Sequence, residues 1–172
     1  MRLESGLRQF RSPSPAPTDD QVWSWKANLS AGLDFYRSKE SVARRYPRHV
    51  RESQDWKALV KAYNDKRVAK SKPEAPLKAL AIDLPDYTAE QLERDTVRGF
   101  NGYAGGLHEY RVKLDADGLL VVTVAANGTT GTAEWEALSA ADRIAAYDKL
   151  NIPSNHRGDP NYVDDVYAQA SF

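Results

Sequence analysis

EYRVKLDADGLLVVTVA, residues 109–125, is the stretch that decides the fold class. Apolar and polar side chains alternate from Glu109 to Leu114 and again from Leu119 to Ala125, the period of a half-buried strand. Between them, Asp115-Ala116-Asp117-Gly118 supplies turn chemistry. The reading is a β-hairpin turned at Asp-Gly, with another turn at Asn127-Gly128. Alternation sets His108 and Tyr110 on one face of the first strand, and Glu109 and Arg111 on the other.

Helical signals flank this hairpin. Upstream, Leu77 to Leu84 reads as a strand that Pro85 ends, and Thr88 with Gln91 forms a capping box for a helix to about Arg98. The segment Gly99 to Gly106 lacks both a GxGxxG pattern and a following Lys-Ser/Thr, so it reads as a hinge or tight packing corner rather than a phosphate cradle. Nearer the start, Asp19 or Asp20 caps a helix carrying Val22, Trp25, Leu29 and Leu33 and ending near Arg37. A short helix follows to Tyr46, where Pro47 is expected to stop it. A third spans about Ser53 to Lys70, with Trp56, Leu59, Val60, Tyr63 and Val68 as its apolar stripe. Trp23, Trp25 and Trp56 are expected core or interface anchors. Downstream, Ser139 caps a helix to about Leu150, with Leu138, Ile144, Ala145 and Tyr147 facing inward. Residues 151–160 are loop, and Tyr162 to Ala170 is a final short helix.

The expected fold class is α+β: N-terminal helices packed with a small, mainly antiparallel curved sheet and C-terminal helices. Residues 1–18 contain Ser12-Pro13-Ser14-Pro15-Ala16-Pro17, a run that supports neither helix nor ladder and reads as a disordered or extended tail. Residues 19–172 form one α+β domain, with a basic helical part at 19–72 and an acidic α+β part at 73–172.

The 172 residues include no cysteine, which excludes disulfides, thiolate metal sites and a cysteine nucleophile. No apolar run approaches the roughly 18 residues of a membrane span. The formal net charge is zero, which disfavours a nucleic-acid binder. That balance hides an asymmetry: residues 1–72 carry 16 Lys and Arg against 8 Asp and Glu, and residues 73–172 carry 8 against 16. Either the two parts face each other within one fold, or the basic part meets an acidic partner or an anionic membrane surface. The cluster Arg44-Arg45-Tyr46-Pro47-Arg48-His49-Val50-Arg51 interleaves cations with an aromatic ring, a pattern that suits lipid phosphates or a solvated inter-helix turn.

The densest chemistry lies in Tyr147-Asp148-Lys149-Leu150-Asn151-Ile152-Pro153-Ser154-Asn155-His156-Arg157-Gly158. Asp148 is a candidate general base and His156 a candidate acid/base. Arg157 offers a planar fork of donors that suits a phosphate. Tyr147 would orient a water or donate to an oxyanion, and Asn155 adds a donor. His108 and Arg111 are candidate substrate-binding groups, and His108 would complete a metal or phosphate site with His156 and Asp148. The competing reading has Tyr147 in the core, Asp148 solvated, and His156-Arg157 capping the preceding helix.

This run resembles the signature of the colicin M family of lipid II-degrading bacteriocins: Asp-x-Tyr-Asp, five residues, then His-Arg. Tyr147-Asp148 and His156-Arg157 match its pairs, with seven residues between them here and Ala145 at the place of the first Asp. The resemblance implies a small activity domain around a curved sheet, magnesium as cofactor, and hydrolysis of a lipid II-like phosphoester. The expected function is therefore a bacterial antagonistic toxin or effector that hydrolyses a phosphate-containing cell-envelope substrate. It would be made in the cytoplasm without a signal peptide and delivered to the target-cell periplasm. The alternative is a non-enzymatic interaction module (an adaptor, immunity-like or phage-related structural protein) that meets a protein partner through the basic aromatic helices of residues 22–68.

Overall fold

The computed structural model describes residues 24–72 and 74–170. The expected Ser/Pro-rich tail, and with it Val22 and Trp23, lies outside the described residues. Two compact units divide between Ser38 and Lys39, inside the first helix.

That helix, α1, runs Trp25–Glu52 as a single 28-residue element with Pro47 inside it. The expected stop at Pro47 is thus corrected. Proline removes one ladder hydrogen bond and crowds the carbonyl four residues back. Here Pro47 and Ala43, one turn apart, are both buried, and that burial offsets the local cost. The helix α2, Gln54–Ala69, follows directly. Ser53 caps it by accepting from the Trp56 N–H at 3.1 Å.

Beyond α2 come β1 (Ala81–Asp83) and α3 (Ala89–Phe100). The capping box of α3 forms as expected: the Gln91 N–H donates to Thr88 Oγ1 and the Thr88 N–H donates to Gln91 Oε1. A 3-10 turn at Ala104–Gly106 leads into β2 (Tyr110–Val112). The strands β3 (Val122–Val124), β4 (Thr130–Ala133) and β5 (Trp135–Ala137) precede α4 (Ala140–Lys149), a 3-10 turn at Ser154–His156, and α5 (Tyr162–Ala170).

The fold is α+β, with two small sheets. One has the order β1-β4-β3, with β1 parallel and β3 antiparallel to β4; the other pairs β2 with β5 antiparallel. The turn at residues 115–118 forms, with Leu114 bridging Leu120 and the Asp115 N–H donating to the Leu119 carbonyl. The long hairpin ladder expected from 109–125 does not continue from it. Past the bridge the strands part: Arg111 registers with Glu136, and Thr123 with Thr132. The sequence 130–137 competes for both edges, so β4 takes β3 and β5 takes β2.

Trp56, Leu84, Leu120 and Ala133 form the buried core, with Val50, Leu59, Tyr63, Val112 and Trp135 packed around it. The Trp135 indole N–H donates to the Pro85 carbonyl at 2.8 Å, satisfying its one donor. Among the described residues no helix is long and apolar enough to cross a membrane.

Candidate functional site

The helix α3 carries Arg94, Asp95 and Arg98 on adjoining faces, and Asp95 and Arg98 are buried. The glycine-rich segment after α3 reverses the chain and returns His108 and Glu109 over that helix. Gly102, Gly105 and Gly106 adopt positive φ there, which makes the reversal accessible. The Asp95 carboxylate accepts two hydrogen bonds on arrival. Its Oδ1 takes the Glu109 N–H at 2.7 Å, and its Oδ2 lies 2.8 Å from His108 Nδ1. A carboxylate that is already a backbone acceptor holds the proton of the imidazole on Nδ1, leaving the Nε2 lone pair as the basic site.

Two phenol rings clamp that imidazole. Tyr46 stacks on it at 3.6 Å between centroids and 14° between planes, and Tyr103 at 4.1 Å and 23°. Rings so close and so nearly parallel cannot share one face, so the imidazole lies between them. Burial, reinforced by the Asp95 charge, pushes the Tyr46 phenol up to about 12, and the same two causes raise Tyr103. Both therefore stay protonated at neutral pH. The Tyr103 O–H is committed to the Asp95 backbone carbonyl at 2.8 Å.

A buried ionic network fixes the segment from beneath. Glu109 Oε2 accepts from Arg98 Nε at 2.9 Å and Arg143 Nη2 at 3.1 Å. Arg143 also donates to the carbonyls of Leu107 and His108, and Arg98 to those of Asp159 and Pro160. Burial, with Arg98 as a like charge, lowers the Arg143 pKa. These bonds hold the backbone of residues 107–109 from α3, α4 and the C-terminal loop at once.

The open side of His108 meets a cavity of about 500 Å³ lined also by Val42, Arg45, Tyr46, His49 and Gly106. Positions 42, 45, 46 and 49 fall on one face of α1, as the helical period requires. Nε2 makes no hydrogen bond among the described residues. The arrangement is an oriented acid/base group at a cavity with the Arg45 guanidinium and the His49 imidazole on its wall.

The residues singled out in the sequence fall into separate places. Tyr147 is in the core, Arg157 Nη1 pairs with Asp148 Oδ1 at 2.8 Å, and the guanidinium sits 5.9 Å over the Tyr147 ring. Arg157 Nε donates to the Ile152 carbonyl at 2.7 Å, which closes the loop on itself. His156 and Asn155 are exposed on the 3-10 turn. Arg111 pairs with Glu136 and Asp142 on the β2–β5 sheet. His108 is bonded to Asp95, and Glu109, expected on the opposite face from it, is buried beside it. Sequence reasoning missed Asp95 and Tyr103, and named Tyr46 only as the ring of the basic cluster, not as a neighbour of His108. In the sequence Asp95 is one of four charges among Glu90, Glu93, Arg94 and Asp95, and nothing in its spacing to His108 marks the pair.

Among the described residues no three His, Asp or Glu side chains gather as a metal ion needs. No family model matches this chain, and neither does any curated protein or solved structure.

Proposed function

We propose that this protein is a hydrolase whose acid/base group is His108, braced by Asp95, acting on a phosphate-containing substrate. The supporting observation is the 2.8 Å Asp95–His108 pair at the edge of a cavity that His108, Arg45 and His49 line together. In the reaction, Nε2 takes a proton from water as its oxygen attacks phosphorus. The phosphorus–oxygen bond to the leaving group then breaks, and the imidazolium returns the proton to the departing oxygen. Asp95 stabilises the imidazolium formed between the two transfers. The Tyr46 phenol, held protonated, is available to donate to a phosphoryl oxygen.

The cell-envelope toxin reading belongs to this proposal: the substrate would be a lipid-linked phosphoester in the periplasm of a target cell. Here Asp148, Arg157 and Tyr147 brace the C-terminal loop that Arg98 ties to the site. The test compares hydrolysis of a soluble phosphodiester and of an undecaprenyl-pyrophosphoryl sugar by wild type, His108→Gln and His156→Ala. Loss with His108→Gln and retention with His156→Ala are expected. Full turnover by His108→Gln would end this reading, and loss with His156→Ala alone would return the site to the 147–158 run.

One observation favours a second reading, the interaction module. Trp25, Leu29 and Leu33 are spaced one turn apart on α1 and are exposed, Trp25 at 71%. Such a stripe suits a protein partner. Binding that disappears with Leu29→Asp while His108→Gln has no effect would favour it.

A further inference from the structure

The basic cluster of residues 44–51 is sorted by the fold into spent and unspent cations. Arg44 pairs with Glu40, and Arg48 pairs with Glu52 through Nε at 2.8 Å. Arg51 gives Nη1 to the Leu84 carbonyl at 2.6 Å and Nη2 to Asp86 at 2.7 Å. Two side chains of the cluster remain, the guanidinium of Arg45 and the imidazole of His49. Arg45 donates only its Nε, to the Ser41 carbonyl at 3.1 Å, and keeps both terminal nitrogens without a carboxylate among the described residues. His49 makes no hydrogen bond among them, though its ring lies near enough to Glu52 to act on that carboxylate. These two are also the members of the cluster that, with Tyr46, line the cavity above His108.

We infer that Arg45 and His49 form the subsite that holds a phosphate or pyrophosphate group of the substrate in this cavity. The two stand four residues apart, one helical turn, so their heads project side by side from α1. An arginine whose Nε is fixed to its own helix presents the remaining edge of its planar fork to a tetrahedral anion. Val42 on the same face and the Tyr46 ring supply apolar wall, so the anion is read by charge on one side only. His108 lines the same cavity. Gly106 completes the rim at φ +77°, and a Cβ built there meets no heavy atom within 4 Å, so the rim leaves room for the group carrying the phosphate. The inference deepens the hydrolase reading and rests on it for its catalytic consequence, whereas the binding itself does not require turnover.

The experiment titrates the full chain with inorganic pyrophosphate by calorimetry, using wild type, Arg45→Ala, Arg44→Ala and His108→Gln, with circular dichroism on each to verify the fold. Turnover of the soluble phosphodiester is measured on the same samples. Wild type should bind saturably, Arg45→Ala should bind about tenfold or more weakly, as loss of a charge-assisted fork implies, and Arg44→Ala should match wild type. Because Arg45 is exposed and bonds only its own helix, its truncation leaves the core untouched. Absence of saturable binding by wild type, or equal weakening by Arg44→Ala and Arg45→Ala, would overturn the subsite. Selective weakening by Arg45→Ala in a chain without turnover would retain the subsite and sink the hydrolase. Turnover abolished by His108→Gln together with undiminished binding by Arg45→Ala would do the reverse.

Discussion

Tyr46 lies flat against His108, with ring centroids 3.6 Å apart and planes 14° from parallel. With Tyr103 on the other face, the stack fixes the plane of the imidazole, and the Asp95 bond within that plane decides which nitrogen carries the proton. Orientation and tautomer are thus set by different groups, and they can be perturbed separately.

Asp95→Asn tests the tautomer alone. The amide oxygen can still accept the Glu109 N–H, but the amide NH₂ then faces Nδ1 and forces it to be the acceptor. The proton moves to Nε2, where the base should be. Histidine ¹⁵N NMR should show the tautomer switch for His108, and turnover should fall about a hundredfold or more. An unchanged His108 tautomer in a folded Asp95→Asn chain would contradict the assignment.

The tyrosine cluster makes an alkaline prediction. Burial pushes Tyr46 and Tyr110 up to about 12 and raises Tyr87 and Tyr103 as well, against an ordinary value of 10.0. Above the unfolded value the unfolded chain releases these protons while the folded chain keeps them. The folded state then binds more protons, so stability falls as pH rises between about 10 and 12 and is unaffected by these groups below that window. Urea midpoints should be flat from pH 8 to 9.5 and drop steeply above about pH 10. Tyrosinate absorbance of the native chain should lag that of the unfolded chain. Coincident titration curves would show that the phenols are not held in the fold as described.

Glu109→Gln should be the most damaging of the single-charge changes. Glu109 is the carboxylate shared by Arg98 and Arg143, both buried. Its neutralisation leaves two buried guanidinium groups without their counter-charge, which costs about 3–5 kcal/mol. Urea denaturation should show that loss, and Arg143→Met in the same chain should recover part of it by removing one of the stranded charges. A Glu109→Gln chain within about 1 kcal/mol of wild type would mean the network is far better solvated than its burial indicates.

How much of this was legible beforehand follows from the range over which each feature is set. The Thr88–Gln91 box, the Ser139 cap, the 115–118 turn and the final helix at Tyr162–Ala170 are local, and each was readable in a few residues. Pro47 misled because its cost is local while its compensation, burial beside Ala43, is tertiary. The strand partners were misread for the same reason: β5 outcompetes β3 for β2 only once the sheet exists. The site is the extreme case. His108 was singled out as a companion of His156 and Asp148, but its partner Asp95 lies 13 residues away, and Tyr46 is further still and on another helix. The 147–158 run drew attention because its chemistry is adjacent in sequence. In the fold, adjacency brings Asp148 and Arg157 together at the surface and leaves the imidazole of His156 exposed.

Tyr87 provides a last prediction, and one with the opposite sign. Its ring packs among Tyr46, Tyr110 and Trp135, with centroids 6.2, 5.4 and 5.0 Å away. Its hydroxyl is buried and has no hydrogen-bond partner among the described residues. A buried donor without a partner carries its full desolvation cost, so deleting it removes a penalty rather than a bond. Phenylalanine keeps the ring and every aromatic contact. Tyr87→Phe should therefore raise stability by about 1 kcal/mol, or leave it unchanged if a water already serves the hydroxyl. It should also lift part of the loss above pH 10, because one of the raised phenols no longer titrates. The urea midpoint at pH 7 and pH 10.5 measures both effects. A Tyr87→Phe chain clearly less stable at pH 7 would show that the hydroxyl has a protein partner, and that the aromatic cluster beside His108 is ordered by a bond rather than by packing alone.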